Sequence, residues 1–182
     1  MKKRASRTAT ELARIDRQRG TRATYDPLKP DVFSVVLDTR EQQIGRIPLD
    51  IPIVVSKLPF GDLSVVGYED SIAIDRKQIG DFIGCITWER ERFTRLLANL
   101  AALDFAAVVV EATIADVRAK KYRAQVEPAF VLGAAAKITT KYGVPVFFCG
   151  NCIDLTTDFA VRLLRAWWRE RGMRPELKAS GG

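Results

Sequence analysis

The sequence predicts an α/β domain with a mixed β-sheet, and the order of its apolar segments is the main evidence. Four short segments rich in β-branched residues come first, within residues 32–77. Helical and strand patterns then alternate up to residue 171. Strands followed by helix–strand alternation are typical of a layered domain. A chain of 182 residues, 47% of them hydrophobic, suits one globular domain with a real core.

Turn residues bound the first four predicted strands. These are "VFSVVLD" (32–38), "IPIVVSKL" (51–58), "LSVVGY" (63–68) and "SIAIDRK" (71–77). Pro52 restricts the second strand to a sheet edge or a strand start, because proline cannot donate to a ladder. Residues 67–70 fit a hairpin-like connection between the third and fourth strands.

Helical spacing and continuous apolar runs predict the later elements. "QIGDFIGCI" opens a helical turn, and leucines at helical spacing predict a helix within residues 88–104. "FAAVVVEA" (105–112) predicts a strand covered on both faces. Pro128 and Gly143 mark the start and the end of the next helix. "VPVFFC" is a further strand, and residues 157–171 form a last amphipathic helix.

The net charge of +7 is concentrated at the two ends of the chain. Residues 1–30 carry nine Lys/Arg and three Asp/Glu, residues 162–182 carry six and two, and the stretch between carries 14 and 17. Basic ends indicate a polyanion partner, usually nucleic acid, and the alternative is solvated tails that only aid solubility. We therefore predict a flexible basic arm at 1–30, a folded domain at 31–172 and a tail at 173–182.

The sequence also predicts an intracellular, soluble protein. Its longest apolar run, "FAAVVV", is far too short to span a membrane, and no apolar segment follows the basic N-terminus. The three cysteines, Cys85, Cys149 and Cys152, argue against a disulfide framework, and a chain without histidine cannot assemble four Cys/His zinc ligands. The "CGNC" pair is either a redox motif or a turn whose thiols pack as small hydrophobic groups.

Three charges, Asp75, Arg76 and Lys77, end the apolar fourth strand. Side chains alternate between the faces of a strand, so Asp75 and Lys77 share one face and Arg76 takes the other. A carboxylate in this position can hold a divalent cation. The lysine beside it can contact a phosphate oxygen or an attacking water.

Further acids are expected at the same end of the sheet. Asp62 in "FGD" starts the strand before the one that carries Asp75, and a short turn brings the two together. Asp38 and Glu41 in "LDTRE" follow another strand. Four converging carboxylates would repel one another without a cation. Because Mg²⁺ prefers hard oxygen ligands, these acids predict a divalent-metal site.

The ordered motifs "LDTRE…FGD…IDRKQIGD" resemble the signature of XPF-type structure-specific nucleases, within the PD-(D/E)xK class. That signature is Asp-x-Arg-Glu, then Gly-Asp, then Glu-Arg-Lys and, after three further residues, Asp. The resemblance spans residues 33–112 and includes "ERFTRLL" and "VVVEA". It implies a restriction-endonuclease-like mixed sheet flanked by helices on both faces.

The chain departs from the family pattern in two respects. Asp75 stands where the family has Glu, and we expect activity to be retained because the wider class accepts either acid. After residue 112 we find no paired helix-hairpin-helix pattern, which family members often carry. We therefore expect a compact, stand-alone form of the bacterial or phage kind, located in the cytoplasm and nucleoid-associated when bound to DNA.

The resemblance implies a divalent-metal-dependent DNA endonuclease that uses Mg²⁺ or Mn²⁺. Its substrates would be branched, flap or junction structures in DNA repair or recombination. The implied catalytic residues are Asp62, Asp75, Lys77, Glu41 and Asp38, with the four acids as metal ligands and the Arg76 carbonyl as a further one. The alternative is a catalytically inactive DNA-binding or partner subunit, and a third reading places the acids at the strand ends by chance.

The arginines of these motifs are implied DNA contacts. They are Arg40, Arg76 and Arg92, of which Arg92 is alternatively an ordinary surface charge. Asp81 is either an accessory site residue or an acid that stabilises a helix start.

A homodimer is a further expectation, because family members pair through this domain. Trp167 and Trp168 offer more apolar surface than one helix face needs. The alternative is that both indoles cover the domain's own sheet.

Deletion of residues 1–30 should weaken DNA binding and reduce its salt dependence, because nine cations are removed. The slope of log K against log salt changes by about 0.9 for each phosphate that the protein no longer neutralises. Affinity measured across a salt series checks this expectation. An unchanged slope would show that the segment is only a tail.

Overall fold

The computed structural model describes residues 32–41 and 43–172. Its strands are β1 (Val35–Asp38), β2 (Ile53–Ser56), β3 (Leu63–Val65), β4 (Ile72–Gln78), β5 (Phe105–Glu111) and β6 (Val146–Phe148). Its helices are α1 (Ile79–Ile86), α2 (Arg90–Leu100), α3 (Ile114–Arg118), α4 (Pro128–Tyr142) and α5 (Ile153–Gly172). The arm and tail predicted at 1–30 and 173–182 lie outside the described residues.

The six strands form one mixed sheet in the order β2-β1-β3-β4-β5-β6. The pairs β1–β2, β4–β5 and β5–β6 are parallel, and β1–β3 and β3–β4 are antiparallel. The prediction of a mixed sheet is confirmed. The strand after Pro52 lies at a sheet edge, where the missing proline donor disturbs no inner ladder.

Helices cover both faces of the sheet, as predicted. On one face, α5 packs through Ala160, Val161 and Leu164 against a core that includes Leu37 and Ile74. On the other face, α1, α2 and α4 pack on a second core that includes Ala73, Val108 and Val110 of the central strands. The apolar run in β5 fits this arrangement, because its residues alternate between two buried faces.

Several element bounds differ from the sequence prediction. The short helix α3 was not predicted, although Thr113 and Asp116 form a capping box at its start. Helix α5 begins at Ile153 rather than near 157. Polar residues in its first turns bind the loop that follows β1. The Asp154 carboxylate accepts a hydrogen bond from the Arg46 amide at 2.7 Å. Within the described residues, no helix is long and apolar enough to cross a membrane.

Both tryptophans of α5 pack against the domain's own core. Trp167 meets Tyr68 edge-on with ring centroids 5.5 Å apart, and Trp168 lies 5.8 Å from the Phe33 ring. This arrangement agrees with the alternative in which the indoles cover the domain's own sheet. The homodimer stays a prediction.

The two thiols of "CGNC" are free and half-buried. The Cys149 thiol donates to the Phe147 carbonyl at 3.5 Å, and burial raises the pKa of Cys149 to about 11. A thiol in this state is a poor nucleophile at neutral pH, which favours the packing interpretation over the redox one.

The loop after β1 is anchored to α5 at Gly45. The Gly45 amide donates to the Thr157 hydroxyl at 2.9 Å. A Cβ atom at this position would lie 2.3 Å from the Ile153 carbonyl oxygen and 2.7 Å from the Asp154 Cα. These are backbone atoms, so the loop that carries Glu41 can approach the helix only through a glycine.

We expect Gly45→Ala to lower the free energy of unfolding by about 3 kcal/mol, because the added methyl group forces the backbone apart. Gly133→Ala in α4 is the matched control, since a Cβ there meets no atom within 4 Å. The control should stabilise the protein by up to about 1 kcal/mol through helix propensity. Urea denaturation measures both values, and a Gly45→Ala protein as stable as wild type would contradict the anchoring role.

Candidate active site

A pocket of about 620 Å³ opens on the α1–α2 side of β4. Its walls come from β4, from the segment that leads into β3, and from helices α1 and α2. Its floor carries Asp62, Asp75 and Lys77, and Arg40, Asp81 and Arg92 also line it. Of the five predicted catalytic residues, the structure brings the three on the floor together from two separate stretches of sequence. Asp38 and Glu41 do not line this pocket.

Asp75 and Lys77 share the pocket face of β4, as strand alternation predicts. The Lys77 ammonium lies 3.0 Å from Asp75 Oδ2 and 3.4 Å from Oδ1, and 5.5 Å from the centre of the Phe93 ring. Burial works to lower the pKa of Lys77, but the Asp75 carboxylate outweighs it and the pKa is raised. Lys77 is therefore a fixed positive charge at neutral pH.

Asp62 reaches Asp75 because the antiparallel β3–β4 pair sets the chain beside it. The Asp62 amide donates to the Ile74 carbonyl at 2.9 Å, and the Asp62 carboxylate accepts from the Arg76 amide at 2.7 Å. The preceding Gly61 has φ +71°, and a Cβ there would lie 3.0 Å from the Ile74 oxygen. The glycine of the "FGD" motif is thus required by backbone conformation and by close approach.

The two carboxylates are poorly compensated in the absence of a cation. Burial, followed by the negative charges of Asp75 and Glu41, raises the pKa of Asp62 to about 8. Burial also raises the pKa of Asp75, against the influence of Lys77. Asp75 Oδ2 is buried without a hydrogen-bond partner, since the Lys77 ammonium beside it lacks the alignment of a hydrogen bond. A cation would satisfy this oxygen.

Asp38 is turned away from this pair toward Arg40. Its Oδ1 accepts from the Arg40 amide and from Nε, both at 2.7 Å, and its Oδ2 accepts from Arg40 Nη2 at 3.0 Å and from the Leu58 amide at 2.7 Å. Burial works to raise the pKa of Asp38, but these hydrogen bonds outweigh it and the pKa is lowered. In this arrangement Asp38 orients Arg40, whose side chain is 62% exposed at the pocket.

Glu41 is held by Arg76 beside the acid pair, where it lines a neighbouring cleft of about 300 Å³ together with Asp62 and Lys77. The Arg76 guanidinium is 7% exposed, lies 3.3 Å from carboxylate oxygens of both Glu41 and Glu111, and donates to the Gln43 carbonyl at 3.1 Å. Arg76 is therefore an internal cross-link between the loop after β1 and the end of β5. The guanidinium predicted to contact DNA is committed to these carboxylates here.

The four predicted acids do not form a single cluster. Within residues 32–41 and 43–172, no group of three or more Cys, Asp or Glu side chains is placed to hold a metal ion by itself. The structure pairs Asp62 with Asp75 and engages Asp38 and Glu41 with arginines. The metal roles of Asp38 and Glu41 stay predictions.

The remaining predicted residues lie at the rim. Asp81 is exposed in the first turn of α1, where both its accessory role and a helix-start role fit. Arg92 is 82% exposed and pairs with Glu89 at 3.2 Å. Sequence reasoning missed Trp88, an exposed indole that also lines the pocket. In the sequence, the only sign of its exposure is a large apolar residue next to the charged run "ERER".

Known proteins share a domain family and a fold with this chain. A model of the ERCC4 domain matches residues 37–163. No curated protein matches the chain. Among solved structures, XPF from Aeropyrum pernix is 24% identical with a TM-score of 0.59, covering 78% of this chain and 64% of that one. The structure of XPF from Aeropyrum pernix in complex with DNA is 22% identical with a TM-score of 0.56, covering 76% and 66%.

The structural matches show the fold, and the chain spans just under two-thirds of the chains it matches. The family model covers well over half of the 182 residues. The resemblance inferred from the motifs is thereby confirmed. The chain belongs to the ERCC4 domain family.

Proposed function

We propose that this protein is a divalent-metal-dependent DNA endonuclease that hydrolyses phosphodiester bonds at branched, flap or junction structures. The observation that carries the proposal is that the half-buried Asp62 and the buried Asp75 line one open pocket with Lys77 beside them. Membership of the ERCC4 domain family supports the reaction class. The basic ends of the chain supply charge for a polyanionic substrate.

The residues fit Mg²⁺ or Mn²⁺. Asp62 and Asp75 would hold the ion, with the Arg76 carbonyl as a further oxygen ligand. Asp75 Oδ2 is buried and accepts no hydrogen bond, so the ion would satisfy it. Two carboxylates suffice, because Mg²⁺ usually keeps several of its waters. The bound ion would polarise the phosphate and lower the pKa of the attacking water.

The protein's own groups position the substrate and oppose its charge. Lys77 faces the pocket as a permanent cation, where it stabilises negative charge that develops on the phosphate. Arg40, fixed by Asp38, presents an exposed guanidinium suited to a neighbouring phosphate. Arg76 acts through other residues: its amide orients Asp62 and its side chain restrains Glu41.

We expect the protein to cut labelled branched DNA in Mg²⁺ or Mn²⁺ and not in EDTA. Asp62→Ala and Lys77→Ala should each reduce the cleavage rate by about 100-fold or more, since each removes charge from the reaction centre. DNA binding measured in EDTA should be largely retained. Asp70→Asn is a matched control, because Asp70 is exposed in the turn at the other end of the β3–β4 hairpin. Wild-type cutting by both pocket variants would refute the site assignment.

In EDTA, stability should fall as the pH rises from about 4 to about 8. The folded protein keeps the proton of Asp62 across this window, whereas an unfolded aspartate releases it near pH 4, so the folded state is progressively disfavoured. Asp62→Asn should reduce this slope, and Asp70→Asn should not.

At pH 8, added MgCl2 or MnCl2 should raise the Tm of the wild type more than that of Asp62→Asn. Thermal denaturation with and without the ion measures both effects. Equal shifts in the two proteins would contradict the proposed role of Asp62 as a metal ligand.

A further inference from the structure

The indole of Trp88 lies open at the wall of the catalytic pocket. Its side chain is 72% exposed, while Trp167 and Trp168 are partly buried against the core. An exposed tryptophan gives up much of the stabilisation that its burial would bring. Because the ring lies in the same pocket as Asp62 and Asp75, it is available to contact a ligand that binds there.

The turn between α1 and α2 holds the ring in place. The Thr87 hydroxyl donates to the Ile83 carbonyl at 2.6 Å, and the amides of Thr87 and Glu89 both donate to the Gly84 carbonyl, at 3.2 and 3.0 Å. Residue 88 is therefore flanked on both sides by hydrogen-bonded neighbours. Its backbone is fixed although its side chain is exposed.

The Trp88 indole packs closely against Gly84 of α1. A Cβ atom on Gly84 would lie 3.2 Å from Cζ2, 3.4 Å from Cε2 and 3.4 Å from Nε1 of Trp88. Three ring atoms thus rest against a helix position that has no side chain. A ring supported on one side and open on the other is preorganised for stacking.

A cation lies on the same wall. Arg92, in the first turn of α2, lines the pocket, is 82% exposed and pairs with Glu89. An aromatic face next to an exposed guanidinium matches a nucleotide, whose base stacks and whose phosphate takes the charge. Bases within a duplex are stacked on one another, so this pair favours bases that are unpaired.

We propose that Trp88 is a stacking platform for an unpaired DNA base beside the bond to be cut. The inference rests on the proposed nuclease function and deepens it. The catalytic groups act on the phosphate, which every DNA shares, whereas Trp88 distinguishes a branch or single strand from plain duplex.

Fluorescence titration in EDTA tests the platform without cleavage. Oligothymidylate should quench the exposed tryptophan of the wild type. An abasic oligomer of equal length, which has the phosphates without the bases, should bind without comparable quenching. Trp88→Ala should lose the quenching and bind oligothymidylate about tenfold or more weakly. Affinity for plain duplex should be unchanged.

Two variants separate stacking from damage to the fold. Phe130→Ala removes a ring that is 51% exposed on α4, outside this pocket, and should retain wild-type quenching and affinity. Trp88→Phe keeps an aromatic face and should recover part of the affinity that Trp88→Ala removes. Wild-type oligothymidylate affinity in Trp88→Ala, or equal quenching by the abasic oligomer, would overturn the platform.

The two proposals fail in different ways. A protein that cuts branched DNA but shows no base-dependent quenching keeps the nuclease function and loses the platform. A protein whose Trp88 is quenched by oligothymidylate but which cuts no DNA with Mg²⁺ or Mn²⁺ keeps the platform as a binding site and loses the nuclease function.

Discussion

The structure depends on the placement of two carboxylates, the buried Asp75 and the half-buried Asp62, where β3 meets β4. Asp62 and Asp75 are brought together by the antiparallel register, in which the Asp62 amide is bonded to the Ile74 carbonyl. Burial of like charges is costly unless other groups compensate it. The Arg76 amide and the Lys77 ammonium supply part of this compensation. One buried oxygen of Asp75 lies 3.0 Å from the Lys77 ammonium but accepts no hydrogen bond, and under the proposed function the divalent cation would satisfy it.

The three charged residues at the end of β4 contact groups on both sides of the sheet. Asp75 and Lys77 face the pocket, and Arg76 between them points to the other face. From there Arg76 ties Glu41 to Glu111, so one guanidinium connects the loop after β1 with the end of β5. Three consecutive charges are tolerated because each has a separate set of partners. The same alternation explains why the motif has a base on each face.

The scaffold around the pocket limits the freedom of its parts. Gly61 permits the close approach that places Asp62, and Gly45 anchors the loop of Glu41 to α5. Asp38 keeps Arg40 at the rim by a bidentate contact. On the opposite wall, the α1–α2 turn presents Trp88. The acid pair, the Arg40 guanidinium and the Trp88 ring therefore line the same pocket, each held by its own backbone or side-chain contacts.

The sequence by itself determined the mixed sheet, the covering helices, the family and the shared strand face of Asp75 and Lys77. Periodicity, strand alternation and ordered motifs are local properties of the chain, so they can be read without coordinates. Helix α3 was missed although its capping box is local, because five residues make a weak pattern.

Only the tertiary structure decided which partner each charge takes. The sequence places Asp38 and Glu41 near the site, but only the fold shows that Asp38 bonds to Arg40 and Glu41 to Arg76. It likewise decided that Trp167 and Trp168 pack inward while Trp88 stays exposed. Ion pairs and exposure depend on contacts between residues far apart in the chain, and no local pattern encodes those distances.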